Sequence, residues 1–230
     1  RLFRLQSSKR PRRGTLRMSV GLLGSFKRGG VWTEILQTEF FLTVGSFLSS
    51  HRGQTLVKTM SGHDLTNCLH GGAKAGCMPN SFVSILCRRL TDSHSQQSLG
   101  SVPPQSGVGS RNRSPSLHAS DNGFLLYEPI NLASSSWALS FFLKTQSTSG
   151  ASQEAVDSAR RALSCIARHL SDWVERCDPN RKDRPPMSLQ HLSMAALGVS
   201  AIAETSTGRE ALSAVVRLLR MRLKSFEGER

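Results

Sequence analysis

Along much of this chain bulky apolar residues recur three and four positions apart, the period of helices buried along one side. Phe82, Ile85, Leu86 and Leu90 fall at i, i+3, i+4 and i+8, and Pro79 and Ser81 are start signals for the helix that carries them. Upstream, Asp64, Leu65, Cys68, Leu69, Ala73 and Gly76 keep helical spacing, and Met78-Pro79-Asn80-Ser81 breaks one helix from the next. A helix from Asn131 to Leu143 leads to another with Val156, Ala159, Leu163, Ile166, Leu170 and Trp173 on its inner side. After the breaks at Asp178-Pro179-Asn180 and Pro185-Pro186, Ser188 to Ala203 reads as helix. Gly208 is then expected to interrupt, and Leu212, Val215, Leu219 and Leu223 line the last helix. Near the start, Trp32 to Leu48 predicts a helix with Trp32, Ile35, Leu36, Phe40 and Thr43 along one side, followed by a connector from Ser49 to Ser61.

Strand-type alternation of Val, Ile and Thr is scarce, and there is one Tyr. A composition of 38% hydrophobic but 6% aromatic residues, led by Leu and Ala, suits helix on helix better than a sandwich. The expected fold class is therefore all-α, a stack of helix-turn-helix repeats resembling an α-solenoid, with a basic extended N-terminal arm. Residues 1–30 form that arm, 31–90 a first helical region, 91–123 an insertion and 124–230 a second helical region. The insertion is built of Ser, Gln, Gly, Pro and His and has too little apolar surface to offset its ordering entropy.

Charge changes this picture at one end. The net charge is +14, and residues 1–30 contain nine Lys or Arg and no acid. The remaining residues hold 21 bases against 16 acids, so +9 sits in the arm and +5 is spread over the rest. Such an arm binds several phosphates with marked salt dependence. Arg4, Lys9, Arg10, Arg12, Arg13, Arg17, Lys27 and Arg28, with Phe3 and Phe26 among them, are the candidate RNA-binding residues, because Arg pairs with phosphate in a bidentate manner and stacks on bases. Arg160, Arg161, Arg168, Arg217, Arg220, Arg222 and Lys224 add basic helix faces. The opening segment, rich in Arg and Ser and free of acid, also has the composition of a mitochondrial import sequence or of the stretch just after one.

Candidate chemistry is thin. Five cysteines without a CxxC pair argue for a reducing compartment. His63, Cys68, His70 and Cys77 lie close together but lack the paired short spacings of a zinc site. Cys165, His169 and Asp172 could be drawn as a thiol triad, yet an amphipathic helix gives the same spacing. Gly71-Gly72 is not a phosphate loop and reads as close helix packing. No catalytic residue, metal ligand or cofactor is expected, nor a small-molecule substrate. The longest apolar stretch, from Glu39 to Leu48, is too short to span a membrane.

The helices repeat. Leu65-Thr-Asn-Cys-Leu-His-Gly-Gly-Ala-Lys, Leu132-Ala-Ser-Ser-Ser-Trp-Ala-Leu-Ser-Phe and Leu192-Ser-Met-Ala-Ala-Leu-Gly-Val-Ser-Ala align from their first Leu. A large residue follows five places on (His70, Trp137, Leu197), then Gly or Ala (Gly71, Ala138, Gly198), then a small residue (Ala73, Ser140, Ser200). Small residues at fixed intervals let helices approach closely, and the large one is expected to fill the gap. The string from Asp64 to Gly76 resembles the "DLxNxLWAxAKLG" helix of octotricopeptide-type repeats and of the helical arrays that precede RAP domains. Asn131-Leu132 with Trp137-Ala138-Leu139 is similar to the same helix at other positions. The third copy keeps only Leu192 and the rhythm. The repeat starts lie 67 and 60 residues apart, wider than the units of about forty in such arrays, and no RAP domain is recognisable at the C-terminus.

That resemblance implies an organellar RNA-binding protein. The expected role is a structural subunit of a mitochondrial ribonucleoprotein in the matrix, most plausibly the ribosome of a divergent protist. Its partners would be rRNA or other organellar RNA and neighbouring ribosomal proteins. The alternative is a non-catalytic accessory subunit of a respiratory or ATP-synthase membrane complex, its helix pairs acting as protein–protein contacts and its arm facing anionic lipid.

Overall fold

The computed structural model describes residues 31–95, 128–146, 152–176 and 187–227, and among these every regular element is an α-helix. Eight helices follow one another: α1 (Val31–Ser49), α2 (His51–Lys58), α3 (Gly62–Ala75), α4 (Asn80–Ser95), α5 (Pro129–Gln146), α6 (Gln153–Glu175), α7 (Leu189–Ser200) and α8 (Ser206–Glu227).

Their ends are written in short polar side chains. Ser61 caps α3: its hydroxyl accepts from the Asp64 amide at 3.2 Å, and the Asp64 carboxylate accepts from the Ser61 amide at 3.1 Å. This reciprocal box satisfies two amides that the helix leaves open. Ser152 and Ser188 cap α6 and α7 in the same way, by accepting from Ala155 and His191. Gly76 ends α3 in the left-handed region at φ 73°, where its amide reaches the Ala73 carbonyl. A side chain there would be strained, which is why glycine closes this helix.

The helices pack in two rows. α3, α5 and α7 lie side by side in one; α4, α6 and α8 lie side by side in the other, each against the preceding helix of its own pair. α1 covers the free flank of α4, and α2 lies against α1 and α4. This arrangement is compatible with a helical repeat. A continuous core of Leu65, Leu69, Phe82, Leu86, Leu132, Leu139, Phe142, Leu163, Ile166, Leu170, Leu192 and Val215 runs between the rows. Each such side chain contributes about 1.5–3 kcal/mol on burial.

Several expectations need correction. The inner stripe of α1 is Gln37, Phe41, Val44 and Leu48, whereas Ile35, Leu36 and Thr43 face solvent. α1 is apolar on all sides, so its period cannot choose a face; the choice is made by α4, whose Phe82 meets Phe41 edge to face at 5.6 Å. The expected connector from Ser49 to Ser61 contains α2, capped by Ser50 and anchored by buried Val57. Gly208 does not interrupt a helix; it lies in the first turn of α8, its amide donating to Thr205 Oγ1 at 3.0 Å. A Cβ there would stand 2.1 Å from the Ile202 carbonyl oxygen, so glycine serves the tight approach of that turn. On α8 the buried side is Ala211, Ala214, Val215 and Leu218; Leu212 and Leu219 are half-buried, and Leu223 is exposed. α4 continues to Ser95, so the expected insertion begins inside a helix. The remainder of that insertion and the breaks at Asp178 and Pro185 lie outside the described residues.

Candidate nucleic-acid interface

The row of α3, α5 and α7 is held together by small and neutral polar groups. α5 presents Ser134, Ser135, Ser136 and Ser140, all buried. Thr66 and Ser135 share a hydrogen bond of 3.0 Å across α3 and α5, and His63 Nδ1 lies 3.4 Å from Asn131 Oδ1 at the N-terminal end of the same contact. On the other side of α5, a Cβ at Gly198 would stand 2.5 Å from the Ser136 Cβ and 2.6 Å from its carbonyl carbon. There α7 meets the small side chain and the backbone of Ser136, with no larger side chain between them.

The first residues of the aligned segments, Leu65, Leu132 and Leu192, are all buried. So are Gly71, Ala138 and Gly198. Of the large residues, His70 of α3 and Trp137 of α5 pack against each other across the two helices, whereas Leu197 does not fill a gap. His70 and Trp137 are half-buried with ring centroids 5.1 Å apart, and Leu197 is 52% exposed. Leu197, next to the close approach at Gly198, lies on the outer surface of the row. Burial and the nearby Lys74 ammonium hold His70 below the ordinary histidine range, so it is neutral there.

Charge is concentrated on the second row. α3, α5 and α7 carry Asp64, Lys74 and Lys144 and no other Asp, Glu, Lys or Arg, and α7 has none. α4, α6 and α8 carry Arg88, Arg89, Arg160, Arg161, Arg168, Arg209, Arg217, Arg220, Arg222 and Lys224, together with Asp92, Glu154, Asp157, Asp172, Glu175, Glu210 and Glu227. Arg160, Arg161 and Arg168 are exposed on α6. Arg88 of α4 pairs with Glu154 at the start of α6, and Arg176 pairs with Asp172 at 3.7 Å. Both pairs are open to water and contribute little stability. The last turns of α8 hold Arg217, Arg220, Arg222 and Lys224, where cations also complement the helix dipole. Arg4, Lys9, Arg10, Arg12, Arg13, Arg17, Lys27 and Arg28, the candidates of the arm, lie outside the described residues.

The cysteine and histidine groups stay apart. Among the described residues no set of three or more His, Cys, Asp or Glu is placed to hold a metal ion. Cys68 is buried in α3, and burial, with the Asp64 charge, pushes its thiol up to about 12. Burial likewise raises the thiols of Cys77, Cys87 and Cys165, disfavouring the reactive thiolate. Cys165 lies 3.9 Å from an Arg168 guanidinium nitrogen, which only partly opposes that shift. Among the described residues no helix is long and apolar enough to cross a membrane.

Sequence reasoning missed the polar seam between α3 and α5 and the Ser136–Gly198 contact. The signal for both was present: three successive serines in the middle of a helix suit a segment squeezed from two sides. Compared with known proteins, the chain matches no family model, no curated protein and no solved structure.

Proposed function

We propose that this chain is a structural, non-catalytic RNA-binding subunit of a mitochondrial ribonucleoprotein, the mitochondrial ribosome. The pairs α3–α4, α5–α6 and α7–α8 are units of a helical repeat that serves as scaffold. One regularity supports the repeat. Numbered from the first Leu of each aligned segment, Thr66 is second and touches Ser135, the fourth; Ser136 is fifth and touches Gly198, the seventh. The same two-position offset joins α3 to α5 and α5 to α7, as expected when one unit is stacked repeatedly.

The observation that carries the RNA reading is the charge of the first thirty residues, nine cations with no acid. Arg4, Lys9, Arg10, Arg12, Arg13, Arg17, Lys27 and Arg28 run between RNA segments and neutralise phosphates. Arg160, Arg161 and Arg168 on α6 give a second, fixed set of phosphate contacts. The outer surface of the first row, sparse in charge, packs against neighbouring proteins.

Ultraviolet cross-linking of the assembled particle, followed by peptide mapping, tests this. Cross-linked nucleotides on peptides from residues 1–30 and from α6 are expected. Cross-links to lipid at the same positions, with none to RNA, would favour an accessory subunit of a respiratory or ATP-synthase complex.

A further inference from the structure

We propose that the outer face of α8 is a docking site for an amphipathic helix of a partner protein, one with an apolar seam flanked by carboxylates. The inference stands on α8 and its neighbours, independently of the RNA reading. One side of α8, with Ala211, Ala214, Val215 and Leu218, is used up against α6 and α7. The opposite side forms an open groove lined by Leu212, Val216, Arg217, Arg220, Met221 and Lys224. Leu212 and Val216 are half-buried, and Met221 is 46% exposed. Among the described residues Arg217, Arg220 and Lys224 have no ion-pair partner, and Leu223 adds a further exposed apolar side chain beside them.

Two observations choose the occupant. α8 is the last described helix of a row in which α4 meets α6 and α6 meets α8, so a helix on the flank that no described helix covers continues an established mode of packing. Within that row the contact from α4 to α6 is marked by Arg88 on the earlier helix and Glu154 on the later one. α8 offers Arg217, Arg220 and Lys224, and the complement is again a helix bearing Glu or Asp. Apolar groups at the edges of the groove distinguish this face from the exposed arginines of α6. Phosphates alone would leave Met221 and Leu223 in water, whereas a partner helix covers them. A second copy of α8 would bring like charges together, which disfavours self-pairing.

The test uses the full chain and three labelled probes, read by fluorescence anisotropy. The first is a designed peptide helix with a Leu seam and Glu on both flanks, the second its Lys-flanked counterpart, the third a single-stranded RNA oligonucleotide. Variants are Arg217→Glu with Arg220→Glu, and Met221→Asp, all on exposed positions; circular dichroism checks that they stay helical. The Glu-flanked peptide is expected to bind the parent chain in preference to the Lys-flanked one. The double charge reversal weakens it by about tenfold or more and confers binding of the Lys-flanked peptide. Met221→Asp weakens it as well and leaves RNA affinity unchanged. Failure of the Glu-flanked peptide to bind, equal binding of both peptides, or insensitivity to the reversal overturns the proposal. Loss of RNA affinity in the double variant, with RNA displacing the peptide, overturns it in favour of an RNA surface.

Discussion

Replacing Gly198 with alanine asks whether α5 and α7 touch backbone to backbone. On a free helix this change is favourable by about 1 kcal/mol, because glycine is a poor helix former. Here the new Cβ would lie 2.4 Å from Ser136 Oγ, 2.5 Å from its Cβ and 2.6 Å from its carbonyl carbon. Carbon atoms pack best at about 3.5–4.0 Å, so the helices must separate by roughly 1 Å. The Ser136 side chain could be moved or removed, but the carbonyl carbon belongs to the backbone. Overpacking in a close core typically costs about 1–3 kcal/mol. Against the gain in propensity, the net destabilisation expected is about 0–2 kcal/mol, or a fall in melting temperature of about 2–4 °C per kcal/mol. Urea unfolding followed by far-ultraviolet circular dichroism reads it. Ser136→Gly in the Gly198→Ala background removes two of the three closest atoms and recovers part of the loss, giving a coupling energy above about 0.5 kcal/mol in a double-mutant cycle. If Gly198→Ala proves stabilising, or the two changes are additive, α5 and α7 do not meet as described.

Other expectations follow from single contacts. Ser61→Ala removes the reciprocal cap of α3 and should cost about 1 kcal/mol by the same unfolding assay. Phe82→Ala, at the junction of α1 and α4, should cost about 3–5 kcal/mol and release α1 to early proteolysis. His70, neutral in the folded state because its proton affinity is lowered, favours folding above the ordinary histidine range near 6.5. Below it the unfolded chain binds the extra proton more readily, so the urea midpoint should fall as pH drops through that value, less so in His70→Gln. Neutralising Arg10, Arg12 and Arg13 together should reduce the slope of log affinity for RNA against log salt by about 2–3, with the melting temperature unchanged.

The sequence was most readable where local chemistry decides the outcome. Ser188 marked a helix start, Met78-Pro79-Asn80-Ser81 marked the break between α3 and α4, and the stripes of α4 and α6 were regular enough to mark their buried sides. The aligned segments named the helices that lie side by side in one row. What stayed hidden depends on partners distant in sequence. α1 offers Ile35, Leu36, Phe41, Leu42 and Leu48 on different sides, and only the position of Phe82 selects among them. α2 has Val57 as its one large buried apolar residue and reads as a polar connector. Gly208 looked like punctuation because a sequence cannot distinguish a glycine that breaks a helix from one that lets a carbonyl approach. The same blindness misplaced Leu197, which faces outward, whereas His70 and Trp137 do meet between α3 and α5. For the interface, the Arg positions on α6 and α8 were legible from charge alone. That those of α8 are flanked by exposed apolar side chains required the packing of the second row.

The most direct test of the central claim is sedimentation of native organelle extract, with and without ribonuclease, following this chain. The account predicts co-migration with large ribonucleoprotein particles and release to light fractions once the RNA is digested. Migration with a membrane complex that ignores ribonuclease would contradict it.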